Sequence, residues 1–253
     1  MPFVKHNRPV VVIGDIHGMS SQLNQLLATV YSKYGSEVDF YACGDLIDRG
    51  PDSKKVIETC IQENIKSCVG NHELWLVQLL SKGVLWDVSG SIWGAMPTFK
   101  SYGCGKTYFD EDLGRELVQR LPDRHKDYLL SMPLYHKIEV GDKKYLICHS
   151  GLTDSAALKA KAMYTNTNVE MTEDNIWEAV DPMDLCFAFP KLTSNDNIYR
   201  PSNGLTQIFG HSCIPKPIVK DHFICLDTGC GTRAPYTLTA IVLPTREILQ
   251  VTR

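Results

Sequence analysis

The chain has 253 residues, 43% of them hydrophobic and 22% charged, with a formal net charge of −3. That length and composition allow a large hydrophobic core in one domain spanning residues 1–253, and the slightly acidic balance, with no run of five basic residues, excludes a broad nucleic-acid-binding face. No stretch reaches the roughly 20 apolar residues that span a bilayer, and the first residues lack the apolar core of a secretory signal, so the expectation is a soluble, cytoplasmic protein with no membrane or nucleic-acid partner.

Residues 9–14 form a short β-branched apolar run bounded by turn formers, which predicts a buried strand. A helix follows, capped at Ser20 or Ser21, with Leu23, Leu26, Leu27, Val30 and Tyr31 on one stripe. Residues 38–43 predict a second strand, 53–61 a second helix, 65–69 a third strand and 72–80 a third helix. This alternation predicts an α/β arrangement with parallel neighbours. Residues 83–133 read as more helical, with Trp86, Trp93 and Tyr102 as core. Strands resume at 134–140 and 145–148, and again at 205–210, 222–226, 236–243 and 247–251. Between them, residues 153–203 are polar, poorly periodic and read as loop-rich. The nine cysteines include no Cys-x-x-Cys pair. Cys43, Cys148 and Cys225 sit in apolar runs, which fits reduced thiols acting as small hydrophobes.

The chemistry concentrates where predicted strands end. The first ends in Gly14-Asp15-Ile16-His17-Gly18, the second in Gly44-Asp45-Leu46-Ile47-Asp48-Arg49-Gly50, and the third in Gly70-Asn71-His72-Glu73. Later strands end in Cys148-His149-Ser150-Gly151 and in Phe209-Gly210-His211-Ser212. Taken singly, each residue has an ordinary reading. An Asp after a strand usually caps a helix, Asn71 suits a turn, and an Asp48–Arg49 surface ion pair is worth under about 1 kcal/mol. Five strand ends that each deliver Asp, His or Asn are another matter, because α/β sheets bind ligands beyond the carboxyl ends of their strands. His6, His125, His136 and His222 lie outside these segments and read as ordinary residues. Asp, His and Asn donors without thiolate suit manganese, iron or zinc. A central carboxylate can bridge two such ions, and water held between two cations becomes a nucleophile near neutral pH. Arginine matches the phosphoryl oxygens, and histidine beside an aspartate can protonate the leaving oxygen.

These five motifs, in this order and at these separations, resemble the phosphoprotein phosphatase family. The chain length and the segment Leu226-Asp227-Thr228-Gly229-Cys230 look most like its bacterial and bacteriophage branch. The motifs run from Gly14 to His211. The resemblance implies a calcineurin-like metallophosphoesterase fold of α/β class, a central β-sandwich of mixed sheets flanked by helices. It implies two divalent metal ions, manganese foremost, with iron or zinc as alternatives. By the same resemblance Asp15 and His17 would hold the first ion, Asp45 would bridge, and Asn71, His149 and His211 would complete the second site. His72 paired with Asp48 would be the general acid, and Arg49 would clamp the phosphate. One departure stands out. Related phage-type enzymes carry a second phosphate-binding arginine shortly after a tryptophan, whereas here Ile176-Trp177-Glu178-Ala179-Val180 has none. Arg200 is the only arginine between His149 and His211. Either Arg200 reaches into the site or the second clamp is weakened.

The implied activity is hydrolysis of phosphoserine, phosphothreonine or phosphotyrosine in a protein or peptide. The runner-up is a dinucleoside tetraphosphatase or other nucleotide phosphohydrolase on the same scaffold. Asp48 before Arg49 and Glu73 after His72 match the protein-phosphatase form of the motifs. A catalytically inactive binding module should have lost ligands, and here all the expected ones are present.

Overall fold

The computed structural model describes residues 2–86, 93–106, 108–164, 172, 175–192 and 196–252. Along the chain these form β1 (Val4–His6), β2 (Val10–Ile13), α1 (Ser20–Tyr34), β3 (Asp39–Ala42), α2 (Ser53–Gln62), β4 (Lys66–Ser67) and α3 (Asn71–Lys82). Helices α4 (Met96–Ser101), α5 (Glu111–Arg120) and α6 (Asp123–Ser131) precede β5 (Tyr135–Val140) and β6 (Lys143–Cys148). Then come α7 (Asp154–Tyr164), α8 (Ile176–Ala179) and α9 (Pro182–Cys186). The last elements are β7 (Thr206–Phe209), β8 (Ile218–Val219), β9 (Phe223–Cys225), β10 (Leu238–Leu243) and β11 (Glu247–Val251).

The strands make two mixed sheets, in the orders β11-β10-β2-β3-β4 and β1-β5-β6-β7-β9-β8. Alternation along each strand decides how they stack, because successive side chains point to opposite faces. Val10 and Val12 of β2, Tyr145 and Ile147 of β6, Ile224 of β9 and Ile241 of β10 meet in one apolar layer between the sheets. Val11 and Ile13 point the other way and pack with Leu23 and Leu26 of α1 and Val56 and Ile57 of α2. Leu146, Cys148, Phe223 and Cys225 pack outward with Ala157 of α7 and Trp177 of α8. The result is helix, sheet, sheet, helix. A strand buried on both faces must be apolar throughout, which is why β2 reads Val-Val-Val-Ile.

The predicted strands and helices lie within a few residues of their expected places. β1 and β8 were not foreseen, and residues 153–203 hold a genuine helix, α7, where a loop was expected. Its buried Ala156, Ala157 and Ala160 are small enough to pass for a polar, non-periodic stretch. Among the described residues, no helix is long and apolar enough to cross a membrane.

What matters for the site is direction. β2, β3 and β4 run parallel to one another, and so do β6, β7 and β9. The carboxyl ends of both triplets meet at one edge of the sandwich, and the turns that follow them face each other.

Candidate metal centre and active site

Asp45, just beyond β3, is the middle of the site. Its Oδ2 lies 3.6 Å from His17 Nε2 and 3.9 Å from His72 Nε2, while its Oδ1 lies 3.3 Å from His149 Nε2. One carboxylate therefore faces two imidazole groups with different oxygens. Two sets of donor atoms converge on it within 4.8 Å: His17, Asp45 and His72, and Asp45, His149 and His211. Asn71, the first residue of α3, brings Oδ1 to 2.8 Å from His149 Nε2 and 2.9 Å from His211 Nδ1. Asp15, beyond β2, is buried beside them, and its carboxylate accepts the backbone N–H of His211 at 3.0 Å.

The ring orientations are set from behind. His17 Nδ1 lies 3.0 Å from the Ile47 carbonyl, and His149 Nδ1 lies 3.0 Å from the Cys43 carbonyl. An N–H donated to a carbonyl leaves the opposite nitrogen with a lone pair facing inward, the arrangement metal-ligating histidines use. The backbone is equally constrained. His17, Asp45, Asp48, Arg49 and His211 all have positive φ, between 47° and 71°. Strained non-glycine conformations of this kind cost energy and persist where surrounding bonds enforce them, typically at functional sites. Glu73 does much of the enforcing, since its carboxylate accepts the N–H groups of Asp45, Leu46, Ile47 and Gly70. Gly70 has no room for a side chain: a Cβ there would sit 2.2 Å from Asp45 Oδ1.

Charge separates the four imidazoles. Burial lowers the pKa of His17, His149 and His211, the last to about 3 with help from His149, so these rings are neutral donors. Burial opposes the charged form of His72 too, but Asp45 and Asp48 outweigh it and raise its pKa. His72 Nδ1 is 2.8 Å from Asp48 Oδ2, and Asp48 is held in turn by Trp75 Nε1 and Thr98 Oγ1. The carboxylates divide similarly. Burial works against the charge on Asp45, yet His149, His72, His17 and His211 pull its pKa below the usual range. Asp15 is raised by burial and by the nearby charges of Asp227 and Asp45. Three buried carboxylates this close are mutually unfavourable unless cations sit among them. The donor set thus fits a pair of divalent ions: oxygen and imidazole donors, no thiolate, and a shared carboxylate.

Asp227 belongs to this group although the sequence reading left it aside as part of a family-like ending. It follows β9 at the same edge, is buried, and its pKa is pushed up by burial to about 6. The rule that found the other strand-end residues applies equally to this one. Arg49 is also at the site, where Nη1 donates to His17 Nε2 and to Thr232 Oγ1, both at 2.7 Å. Arg200 is elsewhere. Its guanidinium lies 3.2 Å from the His222 ring, ahead of β9, at the end of the sheet opposite His211. The four residues of β7 alone span about 13 Å at 3.3 Å per residue. Arg200 lines a separate cavity of about 610 Å³ together with Lys220 and His222, which both pair with Asp196.

A smaller cavity, about 330 Å³, opens on the candidate centre. Its floor is Asp45, Arg49, Asn71, His72 and His211, and its wall is Trp93, Phe187 and Phe189. Trp93, expected in the core, packs against it and also meets the His72 ring edge-on at 5.5 Å.

Residues 8–215 match the family described as calcineurin-like phosphoesterase. The symmetrical bis(5'-nucleosyl)-tetraphosphatase of Acidovorax sp. (strain JS42) is 26% identical over 142 residues, 55% of this chain and 43% of that protein. Serine/threonine-protein phosphatase 2 of Escherichia coli (strain K12) is 35% identical over 95 residues, 35% of this chain and 41% of that protein. These alignments span less than half the length of those relatives. The crystal structure of a candidate diadenosine tetraphosphatase superposes with a TM-score of 0.61 and 21% identity, covering 99% of this chain and 97% of that one, a likeness of fold. Calcineurin-like phosphoesterases use a dinuclear divalent metal centre, and with a matching donor set at the shared edge of its two sheets this chain belongs to that family.

Proposed function

We propose that the chain hydrolyses phosphate monoesters on proteins, as a metal-dependent phosphoprotein phosphatase acting on phosphoserine, phosphothreonine or phosphotyrosine. The observation that carries this reading is the two-sided Asp45 carboxylate with the Asp48-braced His72 beside it. Asp15, His17, Asp45, Asn71, His149 and His211 would hold two divalent ions, manganese foremost. When bound, such ions supply charge neutralisation for the phosphoryl oxygens and acidify water to a useful pKa. The chain's own groups do the rest. Arg49 offers a planar fork that matches two phosphoryl oxygens. Asp48 fixes the His72 ring through Nδ1, so Nε2 carries the proton that the leaving oxygen takes as its bond to phosphorus breaks. Burial of Asp45, His72 and His149 keeps bulk water away from these charges.

Nucleotide hydrolysis is the second reading, and the names of several relatives favour it. The small cavity favours the first: at about 330 Å³ it lies at the lower end of the range for ligand sites. A phosphorylated side chain fits such a space, whereas a dinucleoside tetraphosphate would lie largely outside it.

The test is turnover of a phosphopeptide after chelation and manganese add-back, in wild type, Asp45→Asn and His72→Ala. Activity should return with the ion, and each variant should lose about 10²-fold or more in kcat with an unchanged circular dichroism spectrum. Turnover that survives chelation, or an active His72→Ala, would overturn the mechanism. A kcat/KM higher on a dinucleoside tetraphosphate than on the phosphopeptide would favour the second reading.

A further inference from the structure

We infer that the site prefers aryl phosphate monoesters, phosphotyrosine within a protein, over phosphoserine and phosphothreonine. The inference rests on the phosphomonoesterase reading above and names the substrate class of that same site. Its basis is the wall of the catalytic cavity, built from Trp93, Phe187 and Phe189.

These rings begin where the reacting groups end. The Phe189 ring lies 4.5 Å from His211, tilted by 40°, and Trp93 meets the His72 ring at 5.5 Å. Phe187 continues the wall, edge-on to Trp93 at 6.3 Å. Phe189 is 76% exposed, a large apolar ring left in water at the mouth of a polar site. Isolated exposed hydrophobics are ordinary, but three aromatic rings lining one catalytic cavity are a surface that asks for an apolar, planar partner.

The distance from the imidazoles to the wall says which partner. In phosphotyrosine the ring is bonded directly to the ester oxygen, so it starts where this wall starts. Phosphoserine places one methylene there and then polar backbone, leaving the rings wet. A nucleoside phosphate places a polar sugar there, and its base lies further out. Hydrolysis itself is unchanged: the bond between phosphorus and the aryl oxygen breaks, water supplies the replacing oxygen, and the phenol leaves with a proton.

A phenol is an intrinsically better leaving group than a serine hydroxyl, so a preference in the wild type alone would prove little. The decisive comparison uses two peptides identical except for phosphotyrosine or phosphoserine, with the full chain loaded with manganese, in wild type, Phe189→Ala and Phe189→Tyr. Phe189→Ala should lower kcat/KM for the phosphotyrosine peptide by about fivefold more than for the phosphoserine peptide, chiefly through KM. Phe189→Tyr, which keeps a ring, should restore the ratio. Because Phe189 is exposed, the variant should fold normally. Equal changes on both peptides, or none, would overturn this inference while leaving the phosphatase reading intact. A dinucleoside tetraphosphate that loses turnover in step with the phosphotyrosine peptide would overturn it too, assigning the rings to a nucleobase. A wild type inert on both peptides would sink the phosphatase reading, and this inference with it.

Discussion

Glu73 is buried at the start of α3, and each of its carboxylate oxygens accepts two backbone N–H groups: Asp45 and Gly70 on Oε2, Leu46 and Ile47 on Oε1. In Glu73→Gln one oxygen becomes an NH₂ group, and two buried donors then face a donor. At about 1–3 kcal/mol for each stranded group, the variant should lose about 2–6 kcal/mol, seen as a lower urea midpoint at unchanged slope. Turnover should fall as well, since the same bonds hold the turn on which Asp45 and Asp48 take positive φ. A Glu73→Gln protein as stable as wild type would show that the turn holds itself. At this scale the sequence was most readable for residues adjoining strand ends. Asp15, Asp45, Asn71, His149 and His211 come together because the register of a strand carries its last residue to a defined edge. Arg200 and Trp93 were harder for a physical reason. Neither adjoins a strand, so nothing local says whether the side chain reaches the site, and Arg200 went to the far end of β7 while Trp93 went to the cavity wall.

Elements meet at the site with almost no slack. Gly210 follows β7 and touches the turn after β2, and a Cβ on it would stand 1.8 Å from Asp15 Oδ1. Gly210→Ala must therefore move the end of β7 away from the end of β2, taking His211 with it. The expected outcome is a folded protein with at least about 10²-fold lower kcat/KM, since displacement of about 1 Å can cost that much. Activity within a few-fold of wild type would mean the two turns can separate without consequence. The helices and longer strands were legible because hydrophobic period and length agreed, as in α1 and β2. β1 escaped notice because its three residues, two of them exposed, carry no period. It is a strand only because β5 lies alongside it in parallel register. In α7 the inward face is alanine and Leu158 is exposed, which inverts the usual contrast between buried bulk and exposed polarity.

The whole sandwich answers to acid through histidines buried in neutral form. His136 on β5 is a case away from the candidate centre. Its Nε2 donates to the Ser67 carbonyl at 3.2 Å, its ring stacks edge-on against Tyr41, and burial pushes its pKa down to about 4. Below the unfolded value near 6.5, the unfolded chain takes up a proton that the folded chain refuses. The stability is thus fully present above about pH 6.5 and is lost as pH falls toward 4, by about 2 kcal/mol at pH 5. His136→Gln should flatten the fall in Tm between pH 7 and pH 5, and parallel curves for the two proteins would clear His136 of the effect. Folding order is a different consequence of this architecture. Asp15 accepts the N–H of a residue 196 positions later, and the convergent donors run from His17 to His211. No contiguous segment short of that span contains the site, so it exists only after loops of that length have closed. An ion that recognises those donors therefore recognises only the finished chain, and its supply would govern how long each copy survives as well as how fast it works.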